Sequence, residues 1–251
     1  GPIAQALGAE ELLPETSDGI SVGFVGNIGE LDFTVDYYSI DVDSLFAAIS
    51  TRTVSTDPTN ASAYANFLAL DAAGVAGANT IGGVNYFQNG YDVNSSGVDA
   101  VVTYPMDTDL GMSILSLTYG YNEREFESDP SAYLNAEGIY DAENFDPNTR
   151  AIVSLLHTWD DFAFLIRTSY WGESSNYHSG NTQDWDAKSM TDLQLTYFGD
   201  GFDLTFGGMN VFDEYPDPDE LGDYCCGQIY PNSTIISFQG ANWYISATKE
   251  L

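Results

Sequence analysis

The sequence predicts an all-β chain folded as an antiparallel up-and-down transmembrane β-barrel. Three observations predict it. Apolar and polar residues alternate with a period of two over most of the chain, the links between these stretches are short and long by turns, and few segments carry a helical pattern of any length.

The alternation is clearest in five places. In 31–42, Leu31, Phe33, Val35 and Tyr37 share one face, with Asp32, Thr34, Asp36 and Tyr38 on the other. In 113–122, Leu115, Leu117, Tyr119 and Tyr121 oppose Ser116, Thr118, Gly120 and Asn122. In 162–171, Phe162, Phe164, Ile166 and Tyr170 oppose Ala163, Leu165, Arg167 and Ser169. Leu193, Leu195 and Tyr197 then alternate with Asp192, Gln194 and Thr196, and Phe202, Leu204 and Phe206 with Asp203, Thr205 and Gly207. Nine strands result, at 18–28, 31–42, 82–105, 112–127, 150–159, 162–173, 188–198, 202–212 and 236–249. The Ala- and Gly-rich stretch 62–78 reads as a loop with room for one short helix.

The links distinguish a membrane barrel from a soluble sandwich. Short links at 29–30, 106–111, 160–161 and 199–201 alternate with long ones at 43–81, 128–149, 174–187 and 213–235. Short turns at one end and long loops at the other mark an outer-membrane barrel, with the turns periplasmic and the loops extracellular. A Greek-key sandwich has no reason to keep that order. Several strands also reach the roughly 9–11 residues that a tilted crossing needs. The polar face (Asp36, Arg167, Asp192, Gln194, Thr196) suits a wet or plugged lumen, and the Leu/Phe/Ile/Tyr face suits lipid. Nine strands beginning from an extracellular segment, residues 1–17, do not make a whole single-chain barrel, which has an even count. The sequence therefore reads as a fragment, with strands and loops over 18–251.

Composition narrows the function. Of 251 residues, 43% are hydrophobic and 14% aromatic, too apolar for a disordered chain. There is no run of 18 apolar residues for a transmembrane helix. With 38 Asp plus Glu against 6 Lys plus Arg, the net charge of −32 leaves no basic surface to displace phosphate counterions, which excludes nucleic acid as a partner. Direct docking on anionic lipid is disfavoured for the same reason. The acidity suits salty, cation-rich surroundings that screen self-repulsion. The first residues have neither a basic n-region nor an apolar h-region, so they are not a signal peptide.

Several segments resemble the TonB-dependent receptors. PETSDGISVGF (14–24) followed by LDFTVDYYSIDVDS (31–44) resembles two successive strands of that family. NYFQNGYDVNSSGVDAVVTY (85–104) resembles its "GvD-x-x-x-Y" strand. MTDLQLTYFGDGFDLTFGGMNVFDEYPD (190–217) resembles its penultimate hairpin, with the signature at Asn210, Val211, Phe212, Asp213 and Pro216, and 230–248 resembles its closing strand. The resemblance implies a barrel of about 22 strands, of which this chain would be about the last nine, with an N-terminal plug that is absent here. It also implies import of a bulky nutrient such as a ferric siderophore, haem, cobalamin or an oligosaccharide, driven by the TonB complex acting through the plug. Lipid and lipopolysaccharide would surround the outer face. Two departures stand out: the chain ends at Leu251 where the family usually has an aromatic residue, and Ser44 follows Asp43 where the family often has Arg.

Enzyme chemistry is not expected. His157 and His178 are isolated, and no nucleophile elbow, Walker loop, dinucleotide fingerprint or zinc motif occurs. Carboxylates such as Asp141, Glu143 and Asp146 are too frequent for any pair to stand out. Loop 213–223 holds six acids in eleven residues, and Asp213, Asp217, Asp219 and Asp223 are candidate Ca²⁺ ligands, though a solvated acidic loop is the simpler reading. Cys225 and Cys226 are adjacent, too few for a metal site, and form a candidate vicinal disulfide or remain free. Arg167, Trp171 and Tyr86 are the candidate substrate contacts. Girdle or packing roles compete for the aromatics, Phe87 and Tyr170 included, and an ion pair with Asp192 ranks ahead of an anionic substrate for Arg167. The alternatives to a transporter are a soluble or cell-surface all-β binding protein of the adhesin or lectin kind, and a barrel fragment with a purely structural role.

Overall fold

A computed structural model describes residues 1–221, 229–231 and 234–249. Nine antiparallel strands form one sheet: β1 (Thr16–Ile28), β2 (Leu31–Asp43), β3 (Val93–Thr108), β4 (Gly111–Phe126), β5 (Thr149–Trp159), β6 (Phe162–Trp171), β7 (Lys188–Gly199), β8 (Phe202–Met209) and β9 (Asn242–Lys249). Their order in the sheet is their order in the chain. Each short link is a two-residue turn: Gly29–Glu30, Asp109–Leu110, Asp160–Asp161 and Asp200–Gly201. Two-residue hairpins favour positive φ because that backbone twist matches the twist of the strands. Gly29 (φ 64°), Gly201 (φ 71°) and Asp160 (φ 44°) supply it.

The turns set the register, and the register sorts the side chains. Directly opposed residues point to the same face, so one row across five strands reads Leu115, Leu155, Ile166, Leu193, Gly208. The other face carries Ser116, Ser154, Arg167 and Asp192 in an adjacent row. At the last hairpin, Gly207 and Gly208 oppose Tyr244 and Trp243, and a Cβ on either glycine would lie within 2.6 Å of the facing ring. Each face thus receives one aromatic ring over a bare backbone, which pins β9 in register.

Exposure along β7 runs opposite to a soluble protein. Leu195 and Tyr197 are 41% and 36% exposed, whereas Thr196 between them is 7% exposed. Thr196 Oγ1 lies 3.0 Å from Thr205 Oγ1 and accepts from Gln194 Nε2 at 3.2 Å. On the apolar face near the two-residue turns, the rings of His157, Trp159, Phe162, Tyr197 and Phe202 follow one another at centroid distances of 5.2–6.0 Å. Such a belt is the form an aromatic girdle takes at a membrane–water interface.

The chain divides into two compact units. The first comprises 1–19, 40–95 and 124–139, and the second 20–39, 96–123 and 140–251. Glycine and proline aside, the buried apolar residues described belong to the first unit, except Ile236, and the buried polar ones to the second. The first unit therefore has cores of the ordinary kind. Leu7, Val54, Leu70 and Ala78 form one, with Tyr86 packed against it, and Ala47, Tyr91 and Val93 form another.

Several features refine the sequence expectation. The Ala-rich stretch is a 12-residue helix, α1 (Ala61–Ala72), whose N-cap Asn60 accepts from the Ala63 amide. It buries Leu70, because tertiary contact compensates for a weak amphipathic pattern. Strand β3 begins at Val93 rather than residue 82, because the preceding segment turns back: Gly83–Val84 pairs with Arg52–Thr53, and Phe87–Asn89 with Phe46–Ala48. The third long link contains a hairpin, Ser174–His178 with Asn181–Trp185, turned at Ser179 and Gly180, both at positive φ. A helix α2 (Ala136–Asn144) lies in the second long link. Strand β8 stops at Met209 because Asn210 takes φ 50°, and β9 starts only at Asn242, after the Gly240 turn (φ 67°).

Leu70→Ala is expected to cost the first unit about 2–5 kcal/mol, the range for truncating a fully buried leucine. Amide exchange in 54–84 should accelerate while β5–β8 stay protected. Equal acceleration in both units would show that Leu70 does not belong to a separate core.

Candidate functional site

The polar face of β5, β6 and β7 concentrates the chain's scarce positive charge. Arg150, Arg167 and Lys188, three of the six basic residues, stand on this face of three adjacent strands. Trp171 is directly opposite Arg150 on one side and Lys188 on the other. All three of these positions are at the long-loop end, Trp171 being the last residue of β6 and Lys188 the first of β7.

Each base has a different environment. Arg167 donates from Nε (3.2 Å) and Nη2 (2.6 Å) to Asp192 Oδ2, its cross-strand partner. The other carboxylate oxygen, Oδ1, accepts the Asn210 amide at 2.9 Å. Asn210 in turn closes the strand exit, donating to Glu214 O at 2.8 Å and accepting the Glu214 amide at 3.0 Å. Asp192 therefore both neutralises Arg167 and anchors the chain reversal after β8. Lys188 Nζ pairs with the Asp217 carboxylate, which also accepts the Asp186 amide at 2.7 Å. The Arg150 guanidinium lies 5.5 Å over the Trp171 ring and makes no ion pair with a described residue. A cation over indole contributes about 0.5–1 kcal/mol at an exposed site without using the guanidinium's N–H donors.

Arg150, Arg167, Trp171, Met190, Asp192 and Asn210 line a cleft of about 320 Å³. A second cleft of about 470 Å³ is acidic, lined by Glu143, Asp146, Glu173, Asp184 and Asp186. The surrounding loops tie to one another. Tyr140 and Tyr177 rings lie 5.8 Å apart, and Phe145 meets Trp185 edge-on at 5.4 Å. Gln183 donates to Pro218 O at 2.8 Å and accepts the Glu220 amide at 2.9 Å.

Of the residues singled out from sequence, Arg167 and Trp171 line one cleft. Tyr86 belongs to the first unit, where its hydroxyl donates to Leu7 O at 2.8 Å and its ring packs on the Leu70 cluster. The acidic loop is occupied by local bonds. Asp213 accepts the Ala241 amide at 2.8 Å and the Tyr215 hydroxyl, whose pKa that bond raises. Asp217 holds Lys188, and Asp219 accepts the Leu221 amide at 3.0 Å. Among the described residues no three His, Cys, Asp or Glu side chains are grouped to hold a metal ion. Asp223, Cys225 and Cys226 lie outside the described residues. Arg150 is the residue the sequence reading passed over. Counting back from the two-residue Asp160–Asp161 turn pairs it with Trp171, so the sequence carries that signal.

Asp192→Ala should destabilise the protein by about 1–3 kcal/mol, since it strips a charged partner from Arg167 and an acceptor from Asn210. Thermal unfolding of Asp192→Ala, Arg167→Ala and the double variant checks this. Strictly additive effects would mean that the pair does not hold the wall.

Comparison with known proteins agrees with this architecture. The family model described as TonB dependent receptor-like, beta-barrel matches residues 1–211. No curated protein sequence matches the chain. Among solved structures, the chain is similar to the copper transporter OprC, with a TM-score of 0.60 at 13% identity over 94% of this chain and 31% of that one. It is also similar to the FrpB iron transporter from Neisseria meningitidis, with a TM-score of 0.57 at 12% identity over 83% of this chain and 27% of that one. A third likeness is to the ferric-catecholate import receptor Fiu from K12 E. coli, with a TM-score of 0.51 at 12% identity over 81% and 24%. The chain thus spans about a quarter to a third of the length of these proteins. It belongs to the TonB-dependent receptor-like β-barrel family, whose members are outer-membrane transporters rather than enzymes, and corresponds to a C-terminal portion of the barrel.

Proposed function

We propose that this chain forms part of the wall and extracellular loops of an active importer, which takes up a bulky nutrient in response to the TonB complex. The observation that carries this reading is the inverted sheet of the second unit. Leu115, Leu117, Val153, Leu195 and Leu204 stand exposed on one face, and the polar residues that alternate with them line the other. Exposed apolar area of this extent is costly in water, and lipid removes that cost. The aromatic belt near the two-residue turns supports the same reading, placing that end at an interface. Loops tied by helices, a hairpin and side-chain bonds form a defined capture surface at the other end. The relatives are described as transporters of copper and iron and as an importer of ferric catecholate, which favours a metal chelate over a sugar as cargo. Lipid and lipopolysaccharide would contact the apolar face, and TonB would act through the plug.

Leu195→Arg separates the membrane reading from a soluble binding protein. In a bilayer it should cost about 2–4 kcal/mol, as for a cationic side chain on the lipid face of a barrel. In a soluble protein, a residue already 41% exposed accepts arginine almost freely. The measurement is denaturant unfolding of the full-length receptor in lipid vesicles, alongside its gel mobility before and after boiling. A heat-modifiable band and energised uptake that stops when TonB is deleted are expected. A protein that stays monodisperse without detergent, with Leu195→Arg neutral, would sink the transporter reading.

A further inference from the structure

We infer that Arg150, held by Trp171, recognises a negatively charged group on the transported ligand, so that the cargo is an anionic compound rather than a neutral glycan. This rests on the transport reading above and names its substrate class.

The argument begins with charge. The chain carries 38 acids and 6 bases, so its general field repels an anion. In the second unit the bases are Arg150, Arg167, Lys188 and Lys249. Lys249 is the last residue of β9 and pairs with Phe202 beside the Asp200–Gly201 turn, at the opposite end of the strands. The remaining three share the polar face of neighbouring strands. Two are neutralised, Arg167 by Asp192 and Lys188 by Asp217. Arg150 keeps its charge without a carboxylate among the described residues.

Geometry then decides what Arg150 can do. The guanidinium carbon lies 5.5 Å over the Trp171 ring, a cation–π contact that holds the group without using its N–H donors. The in-plane N–H groups remain, a fork that fits two oxygens of a carboxylate, phosphate or catecholate. Arg150 is exposed and lines the 320 Å³ cleft, so these donors reach a solvated space. Its place as the second residue of β5 sets it at the long-loop end, where an incoming ligand arrives first.

The test uses the purified full-length receptor and two iron(III) chelates of similar size, an anionic tris-catecholate and a neutral tris-hydroxamate. Binding is read by tryptophan fluorescence. Wild type should prefer the anionic probe, and Arg150→Gln should weaken that probe by about tenfold to a hundredfold, the range for losing a charged hydrogen-bond pair. The neutral probe should be unaffected. Arg150→Lys should recover part of the preference, since charge survives and the fork does not. Trp171→Phe should keep most of it, because a ring remains beneath the guanidinium. Absence of preference for the anionic probe in wild type overturns the proposal. So does Arg150→Gln weakening both probes equally with increased protease access to the plug, which would make Arg150 a plug anchor. Binding needs no energised membrane. Arg150-dependent binding by a receptor that shows no TonB-dependent uptake would overturn the transport reading and leave anion recognition by Arg150 standing.

Discussion

Strand pairing in one register is the constraint on which the rest depends. In a hydrocarbon surrounding every backbone N–H and C=O must find a partner within the protein, and an antiparallel sheet supplies all of them between neighbours. The four two-residue turns leave no freedom in how those neighbours align. Because side chains alternate, a slip of one residue would send Arg167 and Asp192 into the apolar face and Leu193 and Ile166 into the polar one. The Gly207–Tyr244 and Gly208–Trp243 pairs extend the same constraint to the last strand, where no short turn precedes it.

From this register follows the economy of charge. A protein this acidic places few bases, and the sheet gathers half of them on one face. Asp192 illustrates how little is redundant. One oxygen holds Arg167 and the other holds the Asn210 turn, so the strand exit and the lumenal ion pair share a single carboxylate. Asp213 and Asp217 are similarly engaged with Ala241, Tyr215, Lys188 and Asp186. Among the described residues of the acidic loop, the carboxylates thus serve as local caps and pair partners.

The two units obey different rules. The first buries Leu70, Val54 and Tyr91 as any water-soluble domain would. The second buries Thr196 and Asn210 and exposes Leu195 and Phe206. One chain therefore carries two opposite hydrophobic patterns, and a reading tuned to either one misjudges the other. Segment 82–92 illustrates this: it forms short strands, but they pair locally with 46–53 instead of crossing in the main sheet.

Sequence alone determined the strand class, the short turns, the long loops and the polar face, because these depend on a period of two and on turn chemistry, both local properties. It also singled out Arg167 and Trp171. What the tertiary structure decided depends on contacts between residues distant in the chain. The helix Ala61–Ala72 is held by packing on Leu7 and Val54, which its own weak amphipathicity does not reveal. Tyr86 is committed to Leu7, a partner 79 residues away. Arg150 stands apart from its fellow bases only because Asp192 and Asp217 neutralise them, the latter from a separate loop. Local periodicity decides which face a residue takes, and only the assembled sheet decides who its neighbours on that face are.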